Sequence, residues 1–133
     1  MNRYRHLLLF CAALAFGPSA LAAKEVDAGE KAALQAAMRQ HVDRQLVHGS
    51  FLDMDLASGA VRKLHPVTAH PVLLRMGSYY VLCTDFRDSE GKPVNIDFYM
   101  ARRGKSYAVF RTEVNNHAAL DRLISAGKVE RLE

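Results

Sequence analysis

The sequence predicts an α+β fold: a long N-terminal helix packed on a curved antiparallel sheet of five to six strands, followed by a short C-terminal helix. Three observations point there. One stretch repeats apolar residues every four positions, six short β-type runs come after it, and a second amphipathic stretch lies near the end of the chain. Glycine-bearing turns separate the β-type runs, and such short connections favour antiparallel neighbours because parallel strands need a long crossover.

The 133 residues open on a leader-like segment. Met1–His6 carries Arg3 and Arg5, Leu7–Phe16 is an unbroken apolar run, and Gly17-Pro18 precedes the small-residue triplet Ala20-Leu21-Ala22. That is the layout of a secretory signal, with cleavage expected after Ala22. As a helix the apolar run covers about 15 Å of a ~30 Å hydrocarbon core, too little for an anchor. Residues 23–133 are expected to form one α+β domain, periplasmic or secreted, with no transmembrane segment in the mature chain. That part has 16 Lys and Arg against 14 Asp and Glu. Near-balance of charge excludes a nucleic-acid footprint, which needs a basic face interleaved with stacking groups. Cys83 is the one cysteine left after the leader, so no intramolecular disulfide forms; it reads as a small buried hydrophobe in a strand.

Asp27 followed by Glu30 has the spacing of a capping box, and Ala28–His48 then carries Leu34, Met38, Val42 and Leu46 on one stripe. Gly49 is expected to stop this helix. The β-type runs are Phe51–Leu56, Val61–Leu64, Val67–Met76, Tyr79–Arg87, Val94–Arg102 and Ser106–Val114. Asn116 is placed to cap a last helix, His117–Ala126, with Leu120, Leu123 and Ile124 on one face, and Lys128–Glu133 reads as an edge strand or tail. With two- or four-residue loops around Ser89–Gly91 and Arg103-Gly104, odd positions face even ones. Val81, Cys83 and Asp85 are then expected under the long helix with Ile96, Phe98, Met100, Tyr107 and Val109. The opposite face would carry Tyr80, Leu82, Thr84 and Phe86 with Asp97, Tyr99, Ala108 and Phe110.

One long helix laid across a curved antiparallel sheet is similar in outline to the cystatin-like group of folds, which includes the nuclear-transport-factor-like cone. The resemblance covers Ala28–Val114 and rests on element order. It implies a cone in which an acidic residue can sit in a pocket. Cystatin-type inhibitors carry Gln-x-Val-x-Gly in their first hairpin; here that position reads Leu56-Ala57-Ser58-Gly59-Ala60, without the Gln and Val, so protease inhibition is not implied.

His65-Pro66 and His70-Pro71 are metal-ligand candidates by residue type, but a spacing of five fits neither one helix face nor one strand face. The expectation is therefore no metal and no cofactor. Cys83-x-Asp85 puts a thiol beside a carboxylate, which opposes thiolate formation and argues against a nucleophile. Asp53-x-Asp55 reads as solubilising, and Arg102-Arg103-Gly104-Lys105 as a solvated hairpin tip. The strongest signal is aromatic: Tyr79, Tyr80, Phe86, Phe98, Tyr99, Tyr107 and Phe110 fall on three successive strands. Tyr80, Leu82, Tyr99 and Phe110 are the expected binding residues, lining a ligand site or a homodimer surface. The expectation is a non-catalytic binding or accessory module for a protein partner or small apolar ligand. The alternative is a small pocket enzyme using Asp97 as acid or base.

Overall fold

Residues 25–67 and 71–132 are described in a computed structural model; the leader, with its expected cleavage at Ala22, and His70 lie outside them. Asp27 begins the first helix, α1 (Ala28–Gln45), by accepting the Glu30 backbone N–H at 3.3 Å. Only half of the expected capping box forms, because the Glu30 side chain turns to the sheet instead of back to Asp27. Leu34, Ala37, Met38 and Val42 are the buried stripe of α1. Each large apolar side chain removed from water there contributes about 1.5–3 kcal/mol.

The helix ends three residues before the expected boundary. Leu46 and Val47, extended and β-favouring, form β1 (Leu46–Val47) and pair with β2 (Ser50–Met54) across His48 and Gly49, both at positive φ. Gly49 thus closes a two-residue hairpin rather than capping a helix. The remaining strands are β3 (Val61–Pro66), β4 (Val72–Met76), β5 (Tyr79–Arg87), β6 (Pro93–Arg103), β7 (Ser106–Val114) and β8 (Glu130–Arg131), with α2 (His117–Ser125) before β8. Among the described residues the antiparallel sheet has eight strands rather than five or six, since the short β1 and β8 add one at each end of a path. One edge of β5 pairs with β6; its other edge is shared by β4 along Tyr79–Cys83 and by β3 at Phe86 and Arg87.

Loop length reverses the faces expected for β5. Asp88–Lys92 is a five-residue loop in which Asp88 Oδ1 accepts the backbone N–H groups of Glu90 and Lys92, each at 2.9 Å, and Gly91 takes φ +82°. An odd loop makes odd residues face odd ones, so Leu82 lies opposite Phe98 and Cys83 opposite Asp97. Tyr80, Leu82 and Phe86 therefore join Ile96, Phe98, Met100 and Tyr107 in the core under α1. Val81, Cys83 and Tyr99 lie on the outer face with Leu74, beneath Leu120 and Leu123 of α2. Between β6 and β7 the two-residue turn gives the expected pairing up to Met100 with Val109. A bulge then moves Tyr99 opposite Arg111 and leaves Phe110 as the extra residue.

Among the described residues, no helix is long and apolar enough to cross a membrane.

Candidate functional site

The chain turns over the outer face at Asn115, which takes φ +52° and donates its backbone N–H to the Asn95 carbonyl at 2.9 Å. That corner sets α2 across the middle strands. Asn116 holds the cap position without the expected side-chain cap bond; its Nδ2 donates instead to Glu113 Oε2 at 2.9 Å. Leu120, fully buried, anchors the helix on the sheet. Arg111, Asn116 and burial act together on Glu113, whose carboxyl is held below its ordinary range chiefly by the Asn116 hydrogen bond.

α2 covers the sheet only in part. Between it and the outer face lies a cavity of about 420 Å³ lined by Val72 and Leu74 of β4, Cys83, Thr84 and Asp85 of β5, Asn95 of β6, His117 and Ile124 of α2, and Arg131 of β8. Small-molecule sites commonly occupy about 300–1,000 Å³ and combine apolar walls with a few polar groups. Here Val72, Leu74 and Ile124 form the apolar wall, while Asn95, His117 and Arg131 supply the polar groups. The Asn95 side-chain oxygen is buried without a hydrogen-bond partner.

Two of the lining residues, Cys83 and His117, converge on Asp97, which does not itself line the cavity. Asp97 is fully buried. Its two carboxylate oxygens lie 3.3 and 3.2 Å from His117 Nδ1, and His117 Nε2 lies 3.5 Å from Asp121 Oδ1. Cys83 is a free, buried cysteine. Burial pushes its thiol far up, and its hydrogen bond to Asp97 and the charge of that carboxylate push it further. A thiol so held stays protonated and is a poor nucleophile. Burial, then the Asp97 charge, also raises the Tyr99 hydroxyl. Ligand atoms of Cys83, Asp97 and His117 lie within 4.8 Å of one another, the one such set of three among the described residues. His65 does not belong to it, and His70 lies outside the described residues.

The expected binding face is divided by the β5 register. Tyr80 and Leu82 are in the core under α1; Tyr99 and Phe110 are on the outer face, with ring centroids 6.5 Å apart. Phe110, exposed at the bulge, packs on Tyr79 at 5.5 Å, so the outer-face aromatic group is Tyr79, Tyr99 and Phe110, with Tyr80 and Leu82 on the opposite face. Asp97 sits across from Cys83 rather than Thr84, whose partner is Ile96. Asp53 is bound by Arg62 across the β2–β3 hairpin, and Asp55 accepts the Ala57 N–H at 2.9 Å in the turn, which gives both acids structural partners.

Tyr80 has a different task. Its hydroxyl donates to Glu30 Oε1 at 2.5 Å, the Tyr107 hydroxyl donates to the same oxygen at 2.7 Å, and Arg102 Nη2 donates at 3.0 Å. Arg102 also stacks over the Tyr107 ring, 4.9 Å from its centroid. The supposed solvated tip thus begins with an arginine that clamps α1 to the sheet. The two tyrosine hydrogen bonds hold the Glu30 carboxyl below its ordinary value, while burial and then Glu30 itself push Tyr107 up to about 12.

No protein-family model, curated protein or solved structure matches the chain.

Proposed function

We propose that the protein is a non-catalytic binding module, exported to the periplasm or beyond after cleavage at Ala22, that takes a small apolar ligand into the cavity under α2. The observation that carries this reading is the cavity itself: an apolar wall of Val72, Leu74 and Ile124 faced by Asn95, His117 and Arg131. Such walls suit a ligand with an apolar body and one polar end; the Arg131 guanidinium can pair with an anionic end, and the Asp85 carboxylate of the same lining favours that end lying on the Arg131 side. The cystatin-like outline stays part of the proposal, since a helix on one face of an antiparallel sheet leaves the other face to be shaped by α2 and β8. In this reading the ligand site moves from Tyr80 and Leu82 to the outer face. The protein-partner or homodimer form of the expectation falls on Tyr79, Tyr99 and Phe110. The alternative, Asp97 as acid or base, relies on His117, because the carboxylate is fully buried and, of its two neighbours in the cavity lining, the Cys83 thiol is held protonated, which leaves the imidazole as the link.

The test is fluorescence titration with anilinonaphthalene sulfonate, which has an apolar body and an anionic end. One saturable site, displaced by octanoate and lost in Ile124→Arg, is expected. Binding retained in Ile124→Arg but lost in Phe110→Ser would place the apolar surface elsewhere and overturn the reading.

A further inference from the structure

Three side chains of different ligand chemistry meet beside the cavity from three separate elements: Cys83 from β5 and His117 from the first turn of α2, which line it, and the fully buried Asp97 from β6. We propose that they bind a single divalent transition ion of zinc type, through one thiolate, one carboxylate and one imidazole. The proposal goes beyond the ligand reading and does not depend on an organic molecule entering the cavity.

Geometry supports it first. A tetrahedral zinc site has metal–ligand distances of about 2.0–2.3 Å, which sets neighbouring donor atoms roughly 3.4–3.7 Å apart. The Asp97 oxygens already lie 3.2 and 3.3 Å from His117 Nδ1, and all three donor atoms lie within 4.8 Å. Closing the set needs side-chain shifts of about 1 Å. His117 can supply them, because its side chain is 43 % exposed and stands at the start of a helix.

The surroundings supply a second, independent argument. Metal-bound histidines usually direct their other ring nitrogen to an outer carboxylate, which fixes the tautomer and strengthens the ligand. Asp121 occupies that place one helical turn on, with Oδ1 3.5 Å from His117 Nε2. Asp97 gives a third. A carboxylate with no solvent exposure needs compensation, and among the described residues its ion-pair partner is the His117 imidazole, with no lysine or arginine paired to it. A dication compensates it fully and turns the neighbouring thiol from an unfavourable acid into a ligand.

On binding, the Cys83 S–H bond breaks as the sulfur–metal bond forms, and the proton leaves to solvent. His117 coordinates through the nitrogen facing Asp97 and keeps its proton on the nitrogen facing Asp121. Three protein ligands leave a fourth position toward the cavity for water or the polar end of a ligand. A sulfur donor together with nitrogen and oxygen donors selects a borderline ion over magnesium or calcium, which prefer all-oxygen shells.

Cobalt(II) titration of the purified protein, without a histidine tag and under reducing conditions, tests this. The expected result is one equivalent bound with a thiolate-to-cobalt charge-transfer band that zinc abolishes. Cys83→Ser removes that band, and His117→Ala, on a half-exposed side chain that leaves the fold intact by circular dichroism, weakens binding by tenfold or more. Asp121→Asn weakens it about tenfold while the band persists, as an outer partner should. Absence of the band in the native protein, or its survival unweakened in His117→Ala, overturns the proposal. Either failure leaves octanoate binding to the cavity unaffected, so the two readings fail separately.

Discussion

Leu120 is the side chain on which the roof of the cavity depends. It is fully buried against the outer face, and α2 has only nine residues, too few to hold a helix in isolation. Leu120→Ala removes three carbons of buried surface, worth about 2.5 kcal/mol, and the incompletely filled space brings the cost to about 3 kcal/mol. That loss falls on the local opening of α2, whose remaining ties are Leu123 and the His117–Asp97 pair. A change of about 3 kcal/mol raises the open population roughly 150-fold. Cys83 reports it, since the thiol is covered by the α2 contact and reacts once α2 lifts. In residues 23–133, which hold Cys83 as their one cysteine, the rate at which Cys83 exchanges with a dithiobis-nitrobenzoate reagent under native conditions should rise by about two orders of magnitude, provided reclosing outpaces reaction. A rise smaller than about fivefold would show that α2 is not held to the sheet by Leu120 in the way described.

Three further outcomes concern the other face and the hairpin. Glu30→Gln should lower stability by about 2 kcal/mol in urea unfolding, because it weakens hydrogen bonds to a charged acceptor shared by Tyr80, Tyr107 and Arg102. Since the folded-state pKa of Glu30 lies below its ordinary 4.5, this contribution is present above that pH and fades as pH falls through the folded value; a Glu30→Gln variant should show a flatter acid limb. Tyr107 has the opposite dependence: raised from 10.0 to about 12, it stabilises fully below pH 10 and progressively less as pH rises to about 12, and Tyr107→Phe should remove that part of the alkaline slope. Arg62→Ala, which breaks a half-exposed pair with Asp53, should cost less than ~1 kcal/mol, and a loss above about 2 kcal/mol would contradict the reading of the hairpin as peripheral.

Local signals in the sequence carry the elements well. The four-residue apolar spacing from Leu34 to Val42 gives α1, and β5 and β7 have the bounds their residue runs indicate. Pairing parity is less accessible. Whether Asp88–Lys92 closes as four or five residues depends on Asp88 capping two N–H groups in a conformation Gly91 permits, and that one residue decides which side of β5 meets α1. A signal was present: an odd loop sets Leu82 opposite Phe98 and Phe86 opposite Val94, matching large apolar residues across the strands. The bulge that displaces Phe110 leaves no comparable mark in the sequence. Cys83, Asp97 and His117 are separated along the chain by 13 and 19 intervening residues and share no motif. They meet only because the β5–β6 register pairs the first two and the Asn115 corner returns α2 over them.

Whether the cavity beneath α2 is the ligand site can be decided by mapping octanoate onto the isotope-labelled protein with amide and methyl nuclear magnetic resonance. Saturable shifts should concentrate at Val72, Leu74, Cys83 and Ile124, with contacts from the alkyl chain to the Ile124 methyl groups, and Tyr79 and Phe110 should stay unchanged. Saturable shifts centred on Tyr79, Tyr99 and Phe110, with Leu74 and Ile124 silent, would contradict a ligand site under α2.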